Sequence, residues 1–231
     1  MRPILILLGC AWLSSARAPA WYVEGHRWVA VDAVAALPCS VPAFFRGGAA
    51  AVAEGAVDPD VLKAPETPVL RDRESPEHFF DWEELAGRPL PGLRSQYVLL
   101  MASLRRDPAA VGYLPYTVLE DTERLAVAFA EHRRWPENAE IRGKILLYAG
   151  LLAHYAADLC QPLHTTIHHD GRARPDGSSP HTGIHQDLDA LLESVPFDRA
   201  AAVAGLEVSA AADARRALLD ELAASHDLVE E

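Results

Sequence analysis

Several features that would indicate a particular class of protein are scarce in this sequence. Its 231 residues include only three cysteines, which are too few for a disulfide framework. Alternating runs of Val, Ile and Thr are also scarce, whereas alanine is abundant, and this balance favours helices over a β-sheet. No internal repeat is found, and no apolar run is long enough to span a membrane.

The sequence also has too few basic residues to form a broad cationic surface. Lys and Arg number 21 against 33 Asp and Glu, and the formal net charge is −12. This acidic balance argues against electrostatic capture of DNA or RNA over a wide surface. A nucleic acid could still be a substrate if bound cations offset the carboxylates locally.

The remaining composition suits one domain with a sizeable core, because half of the residues are hydrophobic. We therefore predict an all-α, single-domain multi-helix bundle. The predicted helices are 24–37, 41–56 with a possible break at Gly47-Gly48, 94–105, 115–132, 137–160, 183–195 and 211–228. The stretches 57–92 and 165–182 are rich in proline or polar residues and are predicted as ordered loops.

The first residues, "MRPILILLGCAWLSSARAPA", have the pattern of a signal peptide. A short apolar run follows an early arginine, and the small residues ending at Ala20 form a cleavage site. Residues 1–20 are thus predicted to be removed, so that Trp21 begins an exported mature domain, 21–231. The alternatives are a buried N-terminal helix and a lipoprotein signal with a lipidated Cys10. Whether the two later cysteines, Cys39 and Cys160, pair is left open.

The stretch "HYAADLCQPLH" (154–164) places ionisable groups at the end of an apolar helix. His154 and Asp158 are four residues apart, so they project from one face. An imidazole and a carboxylate at this spacing can bind one metal ion. His185 and Asp189 repeat the spacing, and His164 follows the first pair. A carboxylate on an apolar helix must be paired or ligated, because an isolated buried charge is too costly.

Three other stretches supply further candidate ligands. "ESPEHFFDWE" contains His78, "GAVDPD" contains Asp58 and Asp60, and "WYVEGH" ends at His26. A free α-amino group has a pKa of about 7.7–8.0 and is easily deprotonated. The amine and carbonyl of Trp21 could therefore chelate a metal ion once the signal peptide is removed.

Taken in order, these motifs resemble the superfamily of zinc-dependent phospholipases C and single-strand-specific nucleases of the S-one/P-one type. The resemblance runs from Trp21 to Asp189 through Gly-His, "PD", "HFFD", H-x3-D-x5-H and a final H-x3-D. It implies an exported all-helical protein that holds three zinc ions at the bottom of a cleft and hydrolyses phosphodiesters.

Position by position, the resemblance implies three ligand sets. They are Asp60, His78, His154 and Asp158 for the first zinc ion, Trp21, His26 and Asp158 for the second, and His164, His185 and Asp189 for the third. Asp158 would bridge two ions, Asp60 would orient the attacking water, and Phe79 would stack on a base or else belong to the core. Asp58 is the alternative to Asp60.

The resemblance is nearer to the nucleases in the short spacing from Trp21 to His26, in "QPLH", in the long gap from 164 to 185, and in Asp189. It departs from them at Leu188, where the nucleases have Trp, and in its long stretch from 78 to 154. We therefore predict a single-strand nuclease or 3′-nucleotidase, a monomer without a stable protein partner. The alternatives are a zinc-dependent phospholipase C and a non-catalytic zinc-binding protein.

Overall fold

The computed structural model describes residues 23–194, 196, 198–206 and 208–230. Within these ranges the chain is helical and has no β-strand, apart from one isolated bridge between His169 and Gly171. The predicted all-α class is therefore confirmed for this part of the chain. The predicted signal peptide, Cys10 and Trp21 lie outside the described residues.

The helices vary in length from a single turn to about six turns. The α-helices are α1 (Val23–Ala36), α2 (Ala43–Gly47), α3 (Ala49–Gly55), α4 (Asp58–Leu62), α5 (Pro68–Glu74), α6 (Arg94–Ser103), α7 (Pro108–Val111), α8 (Leu114–Arg134), α9 (Ala139–Leu159), α10 (Ile184–Asp189), α11 (Leu191–Ser194), α12 (Arg199–Val203) and α13 (Ala214–Asp227). Short 3-10 helices cover Ser75–His78, Trp82–Leu85, Pro162–His164 and Leu228–Glu230.

The longer helices lie close to their predicted positions. The predicted helix 137–160 is α9, and its first turn is capped by Asn138, whose side chain accepts a hydrogen bond of 3.0 Å from the Ile141 amide. The predicted break at Gly47-Gly48 separates α2 from α3. There a Cβ on Gly48 would lie within 2.5 Å of the Leu146 side chain, so only glycine fits without a shift.

The prediction of a loop over 57–92 was wrong in part. This segment contains α4, α5 and two 3-10 helices. Pro59 and Pro68 each lie in the first turn of an α-helix, where the missing N–H would have no partner in any case. The prolines therefore begin short helices here rather than exclude them. The predicted helix 183–195 is likewise divided, with α10 ending before Ala190.

Helix α9 is central to the packing and contacts α1, α3 and α8. Two clusters of buried side chains lie against it, one including Ala30, Phe45, Val52 and Ile145, and the other Phe80, Tyr97, Leu159 and Leu222. His154 and Asp158 are buried on the second half of the same helix. The apolar packing of α9 thus carries two ionisable groups into the interior.

Two glycines allow α3 and α9 to approach closely. A Cβ on Gly150 would lie 2.6 Å from the Val52 carbonyl oxygen and 2.7 Å from the Gly55 Cα. This contact brings the carbonyl oxygen of Ala56, just after α3, within 2.8 Å of the His154 Nδ1. The glycine contact therefore sets the position of a candidate ligand.

Two further findings concern membrane-spanning helices and the cysteines. Within the described ranges no helix combines the length and the apolar character that a membrane crossing requires. Cys39 and Cys160 are both free thiols, so the structure contains no disulfide between them.

We expect Gly150→Ala to lower the free energy of unfolding by about 1–3 kcal/mol, because the added methyl group overlaps backbone atoms of α3. Gly143→Ala is the matched control on the same helix, since a Cβ there meets no atom within 4 Å. It should stabilise the protein by about 0.5–1 kcal/mol. Urea denaturation measures both values, and a neutral Gly150→Ala would contradict the tight contact.

Candidate metal centre

Side chains from several elements converge beside the end of α9. His26 comes from α1, Asp60 from α4, and His154 and Asp158 from α9 itself. His78 and His164 each end a 3-10 helix, and α10 supplies His185 and Asp189. Pro162 begins the 3-10 helix that follows α9 and ends at His164.

Eight of the nine predicted ligands fall into three groups whose nitrogen and oxygen atoms lie within 4.8 Å of one another. The groups are His26, His154 and Asp158, then Asp60, His78 and His154, and lastly His164, His185 and Asp189. Each group could hold a metal ion. Trp21, the ninth predicted ligand, is outside the described residues.

Asp158 lies where the groups meet and has no exposure to solvent. Its Oδ2 is 3.4 Å from the His154 Nε2, and its Oδ1 is 3.6 Å from the His26 Nε2 and 3.5 Å from the His164 Nδ1. Burial alone would raise the pKa of Asp158, but the imidazoles of His164 and His154 outweigh it and hold the pKa well below its usual value. The carboxylate is therefore ionised.

Backbone carbonyls fix the orientation of three imidazole rings. The Nδ1–H of His154 donates to the Ala56 carbonyl at 2.8 Å, that of His78 to the Glu74 carbonyl at 2.9 Å, and that of His164 to the His78 carbonyl at 2.7 Å. A carbonyl oxygen only accepts, so each Nδ1 carries a proton, and in a neutral ring the lone pair is then on Nε2. These three Nε2 atoms are buried and have no hydrogen-bond partner in the described part of the chain.

Of the two aspartates in "GAVDPD", only Asp60 faces the centre. Its Oδ1 lies 3.6 Å from the His78 Nε2 and 4.0 Å from the His154 Nε2. The same oxygen is 2.7 Å from the Lys63 ammonium, which partly neutralises it. Asp58 is exposed at the start of α4 and belongs to none of the three groups.

The third group is built around Asp189. The His185 Nε2 is 3.2 Å from Asp189 Oδ2, and the His164 Nε2 is 3.8 Å from Oδ1. Gln161 donates a hydrogen bond of 2.7 Å to the same Oδ1 and so fixes the carboxylate. Burial would raise the pKa of Asp189, but the neighbouring imidazoles of His164 and His185 outweigh burial and lower it.

The donor set fits a cation better than it fits a hydrogen-bonded cluster. Burial lowers the pKa of His26 to about 4 and that of His78 well below 6.5, so both rings are neutral near pH 7. His164 differs, because Asp158 outweighs burial there and raises its pKa. The neutral rings of His26 and His78 thus face the carboxylates of Asp158 and Asp60 inside the protein. Such an arrangement of acceptors is stabilised by a bound metal ion, and the Nδ1 hydrogen bonds are those of metal-binding histidines.

A cavity of about 580 Å³ opens over the centre. Its lining includes His78, His164 and His185, so the candidate ligands form part of its floor. The predicted substrate-binding residue, Phe79, is half-buried and also lines this cavity. Asp81, two residues further on, lines it as well.

Several residues that support the site were missed by the sequence analysis. Asp81 closes the quoted motif "HFFD", and Gln161 opens "QPLH", so both had a visible signal. Glu74 opens the quoted stretch "ESPEHFFDWE", but its role depends on distant contacts. Its carboxylate accepts a hydrogen bond from the Tyr155 hydroxyl and another, of 2.7 Å, from Arg73. The ring of Tyr155 also packs edge-on against His78, with 5.3 Å between ring centroids.

The chain that follows His164 is also anchored. Glu83 accepts hydrogen bonds from the Thr166 hydroxyl and from the Ile167 amide, the latter at 3.1 Å. His226, on α13, donates from Nδ1 to the Thr165 carbonyl at 3.0 Å and stacks on Trp82. These contacts anchor the three residues that directly follow His164.

Comparison with known proteins gives no assignment: no family model, no curated protein and no solved structure matches this chain.

The environment of Asp81 predicts how the stability of the protein depends on pH. Burial, followed by the charges of Glu83 and Glu84, raises its pKa to about 7. The folded state therefore binds the proton more tightly than the unfolded chain, and this contribution to stability is lost as the pH rises from about 4 through 7. In metal-depleted protein, Asp81→Asn should become more stable than the wild type above pH 7, by about 1–3 kcal/mol.

Thermal and urea unfolding at pH 5 and pH 8.5 measure this difference. Asp72→Asn is the control, because Asp72 is an exposed carboxylate on α5 and its replacement should have little effect at either pH. A parallel pH response of the wild type and Asp81→Asn would contradict the assignment.

Proposed function

We propose that this protein is an exported zinc-dependent phosphodiesterase, similar to zinc-dependent phospholipases C and S-one/P-one type nucleases. Its preferred substrates would be single-stranded nucleic acids or 3′-nucleotides. The observation that carries this proposal is the convergence of eight histidine and aspartate side chains, the buried Asp158 among them. Their order along the chain is that of the motifs that carry the resemblance.

The ligand chemistry supports zinc among the common divalent ions. Zinc accepts imidazole nitrogen together with carboxylate oxygen, whereas magnesium and calcium prefer oxygen ligands alone. The first ion would be held by Asp60, His78, His154 and Asp158, and the third by His164, His185 and Asp189. The second would be held by His26 and Asp158, with the amine of Trp21 once residues 1–20 are removed.

When bound, zinc ions lower the pKa of a coordinated water to near neutrality and neutralise phosphoryl oxygens. The residues of the chain would provide the rest of the chemistry. Asp60 would accept a hydrogen bond from the attacking water and orient it towards phosphorus. Lys63, whose ammonium is 2.7 Å from Asp60, would hold that carboxylate in place. Asp158 would keep the ligands of two ions in one arrangement.

The cavity supports a substrate larger than a phosphate group. Sites of this size accommodate small molecules with several chemical groups. Phe79 offers an aromatic face beside His78, on which a nucleobase could stack. This arrangement favours a nucleotide substrate over a simple phosphate ester.

A phospholipase C activity is the second candidate, and exposed apolar residues favour it. Val61 is 57 % exposed and Val69 82 % exposed, on the two short helices that adjoin the cavity-lining Lys63 and Arg71. Apolar side chains in that position could contact a lipid surface.

The proposal predicts that the mature chain from Trp21 binds about three zinc ions and hydrolyses single-stranded DNA or RNA. Asp158→Asn should reduce both the bound zinc and the hydrolysis, the latter by about 100-fold or more, because a shared ligand is lost. Metal analysis and product release measure the two effects. Asp58→Asn is the matched control and should leave both unchanged, since Asp58 is exposed and outside the three groups.

The same assay separates the alternatives. Hydrolysis of phosphatidylcholine vesicles without cleavage of oligonucleotides or 3′-nucleotides would identify a phospholipase C. Full zinc loading without hydrolysis of any of these substrates would exclude the phosphodiesterase and support a non-catalytic zinc-binding protein. N-terminal sequencing of exported protein tests whether Trp21 is the first residue.

A further inference from the structure

Two basic side chains line the cavity over the candidate metal centre, Lys63 and Arg71. They differ in how far their charge is already neutralised. The Lys63 ammonium lies 2.7 Å from the Asp60 carboxylate and is 18 % exposed. The charge of Lys63 is therefore already paired with a candidate metal ligand.

Arg71 is exposed and forms no ion pair with any residue that the structure describes. Its neighbour on α5 behaves differently, because Arg73 donates a hydrogen bond of 2.7 Å to the buried Glu74 carboxylate. The guanidinium of Arg71 therefore keeps its full capacity to donate hydrogen bonds to a ligand.

Arg71 lies on the same cavity as several of the candidate metal ligands. Helix α5 leads directly into the 3-10 helix that ends at His78, and Arg71 and His78 line the same cavity. At about 580 Å³ this cavity is larger than the reacting phosphate alone requires. A ligand whose phosphate lies at the histidines would still have a further part within reach of Arg71.

We propose that Arg71 binds a second phosphate of the substrate, adjacent to the one that is hydrolysed, and so selects oligonucleotides. This inference rests on the proposed phosphodiesterase function. A guanidinium is suited to this task because its planar donors match two phosphate oxygens at once. In a chain with a net charge of −12, an unpaired arginine beside the centre is a specific point of attraction for a polyanion. A choline head group would instead place a cation beside Arg71.

The test measures binding separately from hydrolysis. Zinc-loaded wild type, Arg71→Gln and Arg133→Gln are titrated into a fluorescently labelled single-stranded hexanucleotide with phosphorothioate linkages, which resist cleavage. Fluorescence anisotropy is recorded over a range of salt concentrations. Arg133→Gln is the matched control, because Arg133 is an exposed arginine in the last turn of α8 and does not line the cavity.

Arg71→Gln should weaken binding about tenfold and reduce the slope of log K against log salt by about 0.7, the value for one phosphate contact on a single strand. Its KM for a cleavable oligonucleotide should rise more than its KM for bis(p-nitrophenyl) phosphate, which has only one phosphate. Arg133→Gln should bind and cleave like the wild type.

Equal affinity and equal salt slope for Arg71→Gln and Arg133→Gln would overturn the assignment, as would a wild type that does not bind the hexanucleotide. Binding that depends on Arg71 without any hydrolysis would instead support the second phosphate site and reject the phosphodiesterase. Zinc content, measured for each variant, shows that the centre is intact.

Discussion

The burial of one carboxylate is the constraint on which the rest of this structure depends. Asp158 has no contact with solvent, and it is ionised among imidazoles of which His26 and His78 are neutral. An isolated charge in such a place would cost far more free energy than a protein of this size has to spare. The apolar packing of α9 buries the carboxylate inside the protein. A metal ion bound by the surrounding candidate ligands would neutralise its charge.

The surrounding structure fixes the orientation of three imidazole rings near this carboxylate. Carbonyl oxygens of Ala56, Glu74 and His78 each accept an Nδ1–H, and so each leaves an Nε2 facing inwards. The Ala56 carbonyl follows α3, and the other two come from α5 and the 3-10 helix that continues it, so two separate segments orient the three rings. Hydrogen bonds of this kind orient the imidazoles of metal sites, which reduces the cost of assembling such a site.

The charge distribution connects the centre to the proposed substrates. The chain as a whole is acidic, so a phosphate diester would be repelled by much of its surface. The cavity is an exception, because Lys63 and Arg71 are beside it and the candidate metal ligands form its floor. Attraction at this cavity would suit the proposed action on flexible single strands better than the coating of a nucleic acid.

Much of the fold was predictable from local pattern. The long helices α8 and α9 follow from apolar periodicity, and the Asn138 cap marks the start of α9. The short helices α4 and α5 were missed, because their prolines are read as loop signals although a proline in the first turn is compatible with a helix. Short helices depend on tertiary packing for their stability, and their sequence signal is correspondingly weak.

For the site, the sequence by itself determined which residue types were present and that His154 and Asp158 share a helix face, because that spacing is local. Tertiary structure decided that Asp60 rather than Asp58 faces the centre, since the orientation of α4 against α9 is not a local property. It also decided the tautomers of the histidines and the roles of Glu74 and Arg71. Those depend on atoms brought together from distant parts of the chain, and no short-range pattern encodes them.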